Sequence, residues 1–210
     1  MVRVGVVGAG GWGRNLVRSF AGVNGAELAA VCDLNKDVLE ANRRLYPSAK
    51  LYESFEKMLK EGGVEAAVVA TPAGTHYELA KKALEAGKHV FVEKPFTLRS
   101  SEAEELVRLA ERTGLTVMVG HLLEYHPAVT KLKELVRRGE LGKLYYMYTE
   151  RVNLGIVRKQ ENAWWSLAPH DVSVILHLFE TKPESVSVRG WRTWRSGTCI
   201  LRTGGWHRCT

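Results

Sequence analysis

A chain of 210 residues with 45% hydrophobic and 25% charged residues can build one large domain or one domain and part of another, with a sizeable core. It holds no apolar run near the ~20 residues of a membrane helix, which excludes a membrane-spanning class and leaves a cytoplasmic protein as the expectation. The net charge of +7 invites a nucleic-acid reading, but four of those charges are Arg192, Arg195, Arg202 and Arg208, in a terminal stretch without acid or lysine. The body carries the remaining +3 with both signs mixed and no basic stripe, so a nucleic-acid partner is not expected. Cys32, Cys199 and Cys209 have neither metal-ligand spacing nor an even count, and no His, Cys or carboxylate group shows zinc spacing.

In chain order, Val4, Val6 and Val7 form a short apolar strand. Gly8-x-Gly10-x-x-Gly13 follows at once, and a helical pattern of Leu16, Val17 and Phe20 opens behind it. A second strand, Leu28 to Cys32, ends at Asp33, 20 residues beyond Gly13. The strand, the glycine turn, the helix and the acid together are the fingerprint of a dinucleotide site. Gly8 permits the tight turn, Gly10 lets the backbone approach a pyrophosphate, and Gly13 lets helix and strand pack closely. The free N–H groups at the helix start face the phosphate charge. Asp33 can accept both hydroxyls of an adenosine ribose and would repel a 2′-phosphate, which favours NAD over NADP.

The alternation continues with helices over 37–45 and 53–60, a buried strand over 64–70, a helix over 77–86 and a strand over 89–92. Ser101-x-x-Glu104 resembles a capping box before a helix carrying Leu106, Leu109 and Ala110, and a strand over 115–119 closes the series. Alternating strands and helices predict a doubly wound parallel sheet, a Rossmann α/β domain over 1–120. Residues 121–190 differ. A helix over 127–138 turns Val129, Leu132, Leu135 and Val136 inward. The aromatic run KLYYMYTERV (143–152) predicts a strand, 169–179 a helix, and 184–189 another strand. This is the pattern of an incomplete α+β domain with a mainly antiparallel sheet. Leu144 to Val152 and Val186 to Val188 are expected to lack strand neighbours, and such open edges associate with other chains. Residues 191–210 hold three of the six tryptophans and no sustained period, which predicts an atypical tail, out of frame or truncated, after about residue 190.

Several residues can carry chemistry. Thr71 and Thr75, at the carboxyl end of a parallel strand, can line the dinucleotide. His76 can do so too, or can bond the backbone at a helix start. Lys94, between Glu93 and Pro95 at the end of the next strand, points into the same crevice, where a lysine can hold or polarise a sugar oxygen and relay a proton. His121 and His126 either touch the site or cap the junction. His170, expected in the first turn of its helix with Val172, Ile175 and Leu176 packing inward, is a candidate general base. Trp164 and Trp165 suit a core.

GAGGWGRN (8–15), TPAGTHYELA (71–80), EKP (93–95) and APHD (168–171) together resemble the Gfo/Idh/MocA oxidoreductases over roughly residues 1–190. RVNLG (151–155), RKQEN (158–162) and WWSLAPHDVSVI (164–175) look like the nucleotide-sugar dehydrogenases of the WlbA type. The resemblance implies NAD-dependent oxidation of the 3-hydroxyl of UDP-N-acetylglucosamine or its uronic acid, with Lys94 and His170 as the catalytic pair; the alternatives are a truncated, catalytically impaired dinucleotide-binding protein, or a member acting on another sugar or polyol. It implies cofactor contacts at Gly8, Gly10, Trp12, Gly13, Arg14, Asn15, Asp33, Thr71, Pro72, Glu93 and Lys94, and substrate contacts at Arg158, Glu161, Asn162 and Trp165. Many members carry an aspartate four residues before the histidine, where this chain has Ser166. Members also usually continue well beyond this length, building a large open sheet. A homo-oligomer through the second domain is therefore expected.

Overall fold

Each apolar strand of the first 120 residues hands the chain to a helix, because a parallel neighbour can be reached only by a crossover. The computed structural model describes residues 1–150, 163–190 and 197–202. It divides into two units, Met1–Gly120 and His121–Thr210. In the first, β1 (Val2–Val7), β2 (Ala26–Cys32), β3 (Lys50–Tyr52), β4 (Ala66–Val69), β5 (His89–Val92) and β6 (Val117–Val119) form one parallel sheet. Its order is β3-β2-β1-β4-β5-β6, the doubly wound arrangement. The helices are α1 (Gly13–Gly22), α2 (Lys36–Leu45), α3 (Phe55–Glu61), α4 (His76–Glu85) and α5 (Ser100–Thr113).

Alternate side chains of the strands feed two cores. Val4, Val6, Leu28, Val31 and Val68 pack with Val17 of α1 and Leu39 of α2. Val7, Ala30, Cys32, Ala67 and Val69 pack with Met58 of α3, Leu84 of α4 and Leu106 of α5. Fully enclosing a valine such as Val6 or Val31 contributes about 1.5–3 kcal/mol. Leu28 and Val31 share a face despite their odd spacing because the β1–β2 register shifts: Val4 pairs with Leu28 and Gly5 with Ala30, leaving Ala29 as an extra residue.

Local chemistry sets the helix starts. Asn35 accepts the Asp37 N–H at 2.8 Å and Ser54 accepts the Lys57 N–H at 3.3 Å, so α2 and α3 begin at real caps. The expected capping box at Ser101 does not form. The helix opens two residues earlier, with Arg99 in the cap position and no side-chain cap, so Ser101 already lies in the first turn. Strand β3, not anticipated from the sequence, is three residues long and borrows its stability from pairing with β2.

In the second unit, α6 (Pro127–Arg137) is capped by His126, whose Nδ1 accepts the Ala128 N–H at 3.2 Å. Its apolar residues are half-buried rather than enclosed. Helix α7 (Ala163–Phe179) starts six residues before the sequence reading placed it, and Pro169 lies inside it. Its buried residues are Ser173, Val174 and Leu178, while Leu176, expected to pack inward, is exposed. Residues 143–150 form no regular strand, and Tyr145, Tyr146 and Tyr148 are exposed. Their strand propensity expresses fit to a neighbouring strand, and none pairs with them among the described residues. Residues 151 and 152, the end of that expected strand, lie outside the described residues. Strand β7 (Ser185–Gly190) does have a neighbour: it pairs antiparallel with β8 (Gly197–Arg202), from Ser185 opposite Arg202 to Gly190 opposite Gly197. The segment read as having no sustained period thus contributes a strand, recognisable only through its partner. Among the described residues no helix is long and apolar enough to cross a membrane.

One close approach ties the first crossover together. A Cβ on Gly13 would lie 1.7 Å from the Gly8 carbonyl oxygen. Gly13→Ala is therefore expected to lower stability by about 1–3 kcal/mol or more through forced backbone movement. Gly22→Ala, on the same helix and with nothing within 4 Å, leaves it unchanged or raised. Urea unfolding of the two variants checks this, and equal midpoints would contradict it.

Candidate active site

In this strand order the connections from β1 and β4 leave the sheet in opposite directions, opening a crevice at the carboxyl ends of those strands. The glycine turn lies there. Gly8 has φ +85° and its N–H donates to the Cys32 carbonyl at 2.9 Å, docking the turn on the end of β2. A Cβ on Gly8 would meet the Ala70 and Thr71 backbone at 2.8 Å, so the turn also packs on the exit of β4. Over Gly10, by contrast, only Val38 Cγ2 comes as near as 4.0 Å. That open floor leads to the N-terminus of α1, whose first turn carries no acid. Arg14 and Asn15 stand in that turn, with Arg14 Nε donating to the Gly11 carbonyl at 3.0 Å.

Asp33 follows β2, with its N–H on the Tyr52 carbonyl of β3 at 3.1 Å. It is half-buried, and its Oδ1 accepts the Asn35 N–H at 2.9 Å. Among the described residues Oδ2 has no hydrogen bond. The next side chain, Leu34, is 89% exposed and uncharged. The floor at Gly10, the acid-free helix start and the available oxygen of Asp33 together fit the pyrophosphate and ribose of a dinucleotide. Beside Asp33, burial pushes the Cys32 thiol up to about 12, with the charges of Asp33 and Glu56 adding to the effect.

The exits of β4 and β5 are held by side chains. Thr75 Oγ1 lies 2.7 Å from Thr71 Oγ1 and 2.8 Å from the Pro72 carbonyl. Its hydroxyl, expected to face the dinucleotide, is turned onto its own loop. His76 is buried, with Nδ1 2.7 Å from the Pro95 carbonyl and Nε2 2.8 Å from the Thr71 carbonyl. Of its two sequence readings, the backbone-bonding one holds. Glu93 is buried at the end of β5. Its Oε1 accepts the Trp12 indole N–H at 2.9 Å, and its Oε2 accepts the Lys94 backbone N–H at 3.2 Å. Trp12, half exposed in the glycine turn, is thereby tied across the end of β4 to β5. Lys94 is half-buried at the same edge. Gly8, Gly10, Trp12, Gly13, Arg14, Asn15, Asp33, Thr71, Pro72, Thr75, Glu93 and Lys94 all belong to the first unit and to its carboxyl edge.

His170 belongs to the second unit. It lies in the third turn of α7, not the first, because Trp164 and Trp165 are themselves helical. It is half-buried, as are Trp165 and Ser166. Ser173 Oγ donates to the His170 carbonyl at 3.2 Å. Arg158, Glu161 and Asn162 lie outside the described residues. Among the described residues no group of three or more His, Cys, Asp or Glu is placed to hold a metal. The sequence reading missed the Trp12–Glu93 bond, which joins residues 81 apart in the chain and carries no local signal.

A parallel sheet with a glycine turn at its switch point and an acid at the end of β2 defines a dinucleotide-binding Rossmann domain. The family model for oxidoreductases with an NAD-binding Rossmann fold, Gfo/Idh/MocA, matches residues 2–121, and the chain belongs to that family. The UDP-N-acetylglucosamine 3-dehydrogenase of Acidithiobacillus ferrooxidans is 31% identical over 194 residues, covering 90% of this chain and 58% of that protein. The scyllo-inositol 2-dehydrogenase (NAD(+)) of Bacillus subtilis is 31% identical over 198 residues, covering 90% and 57%. The crystal structure of Lactobacillus casei scyllo-inositol dehydrogenase with NAD(H) and scyllo-inositol superposes with a TM-score of 0.79 at 20% identity, over 92% of this chain and 60% of that one, and shows the shared fold. The chain thus spans little more than half the length of these relatives.

The environment of Cys32 has a direct consequence. Iodoacetamide is expected to leave Cys32 unmodified in the native protein near neutral pH and to modify it after unfolding in urea, because only the thiolate reacts. Peptide mass mapping reads this, and equal labelling in both states would contradict the burial.

Proposed function

We propose that the protein is an NAD-dependent dehydrogenase that oxidises a hydroxyl of a sugar or polyol, and that its substrate is UDP-N-acetylglucosamine or its uronic acid, oxidised at C3. The observation that carries the proposal is that the glycine turn and Lys94 stand at one carboxyl edge of the sheet, on either side of β4 at its switch point. Gly8, Gly10 and Gly13 seat the pyrophosphate on α1, and Asp33 accepts the ribose hydroxyls. Trp12, Arg14, Asn15, Thr71, Pro72 and Glu93 complete the cofactor side, with Thr75 bonded to the Thr71 hydroxyl behind them. NAD, when bound, supplies the hydride acceptor. Lys94 holds the reacting hydroxyl oxygen through its ammonium group, which favours the charge that develops there. His170 accepts the hydroxyl proton as the carbon gives up hydride. Arg158, Glu161, Asn162 and Trp165 make the substrate contacts.

The 31% identity shared with the scyllo-inositol 2-dehydrogenase supports a second substrate, a cyclic polyol, to the same degree. NADH absorbance with UDP-N-acetylglucosamine, its uronic acid and scyllo-inositol separates the two. A cytoplasmic location and self-association through the second unit belong to the same reading. The exposed Tyr145, Tyr146, Tyr148 and Val186 support self-association.

Two sets of variants test the roles. Asp33→Ser is expected to narrow the preference for NAD over NADP about tenfold, the equivalent of one charge-assisted hydrogen bond of about 1.5 kcal/mol. A parent protein that binds NADP as tightly as NAD removes the role given to Asp33. Lys94→Ala and His170→Ala are each expected to lower turnover about 10²–10⁴-fold while NAD affinity stays near the parent value. Turnover within about threefold of the parent takes the substituted residue out of the mechanism.

A further inference from the structure

His76 is 1% exposed, the least exposed polar side chain among the described residues, and the proposed chemistry gives it no role. Both ring nitrogens face main-chain carbonyls, so the imidazole is committed to the backbone and is not available as a ligand or a base. Those carbonyls come from two separate segments. Thr71 stands two residues past β4, and Pro95 directly follows Lys94. Donating to both carbonyls takes a proton on each ring nitrogen, and a ring so protonated joins the exit of β4 to the main chain immediately beyond Lys94. On the other side of Lys94, Glu93 accepts the Lys94 N–H and is itself held by Trp12. The Lys94 main chain is therefore gripped on both sides by buried or half-buried polar side chains anchored to the glycine turn and to β4.

We infer that His76 is a positioning residue for Lys94: by bridging the Thr71 and Pro95 carbonyls it fixes where the Lys94 main chain leaves the sheet, and so where the ammonium group can reach. The inference rests on the reading of Lys94 as the group that holds the reacting oxygen. A loose backbone at this point spreads the ammonium over many positions, and a misplacement of about 1 Å can cost about 10²-fold in rate without loss of binding. Side chains held by such supporting contacts keep a productive geometry that a strand end alone does not.

The test uses the full chain with His76→Phe, which keeps a ring and removes both nitrogens, and His76→Gln, which restores one amide donor. His76→Phe is expected to lower kcat about 10²-fold, with KM and the NAD dissociation constant within about threefold of the parent, and His76→Gln to recover part of the loss. A second readout does not depend on turnover. After reductive methylation with ¹³C-formaldehyde, the Lys94 methyl resonance, identified by its absence in Lys94→Arg, is expected to stand apart from those of exposed lysines in the parent and to move towards them in His76→Phe. Lys94→Ala separates the two ideas. If it keeps parental turnover, the role of Lys94 in the reaction falls and the resonance alone decides whether His76 positions it. If it is inactive while His76→Phe matches the parent in both kcat and the Lys94 resonance, the positioning role is overturned. Should His76→Phe fail to fold, His76→Gln carries the same two readouts: an intermediate kcat and a shifted resonance support the bridge, and parental values for both overturn it.

Discussion

The contact between the Gly8 carbonyl and the α-carbon of Gly13 governs the first unit. With no side chain at either position, α1 can start almost on top of the strand it leaves, and its first N–H groups point across the carboxyl edge of the sheet. The same closeness lets Gly8 pack on the exit of β4 and donate to the end of β2. Three strand ends are thereby gathered around one turn, and the proposed cofactor residues stand on those ends, in the turn and the helix it opens, or, for Glu93, at the neighbouring end of β5. A larger residue at Gly13 would not merely crowd a helix. It would push apart the strand ends on which the site is built.

Polar side chains finish what the glycine turn begins. Glu93 and His76 are buried, and burying such groups is unfavourable unless they are hydrogen-bonded. Both are bonded, and one bond of each crosses from one strand exit to another, Glu93 to Trp12 and His76 to Pro95. Beneath them the two apolar cores supply most of the stability. The polar ties spend part of that stability on holding an edge that would otherwise be loose loops.

The sequence made the first unit legible because its signals are local and mutually consistent. Val4 to Val7, the three glycines, the α1 stripe and Asp33 fall in one continuous stretch, and each constrains the next. The same holds for Ala80, Ala83 and Leu84 on α4. What was hidden was non-local. β3 is too short to show a period, and the Trp12–Glu93 and His76–Pro95 bonds join distant segments. In the second unit the strand expected over 143–152 has only aromatic propensity behind it, and the helix over 169–179 only a short apolar face. There the helix extended back through two tryptophans that read equally well as plain core, and the described part of the tyrosine-rich segment formed no strand. β8 was missed because a single six-residue strand with mixed residues declares itself only through the ladder it makes with β7.

The extra residue Ala29 in β2 bears on how such fingerprints are counted. The pairing fixes Cys32 opposite Val7 whatever happens earlier in the strand, and the face of each later side chain follows from that pairing. Ala29 is a spare link. A chain lacking it would alternate regularly from Leu28 onward and still deliver its acid to the same corner of the crevice, one step sooner in the count. The interval between the last glycine and the acid is therefore a measure of path length along the chain, while the position of the carboxylate is set by the ladder. The extra residue Ala29 shifts the count without shifting the carboxylate, so a rule stated in terms of strand register describes this corner more directly than one stated as a spacing.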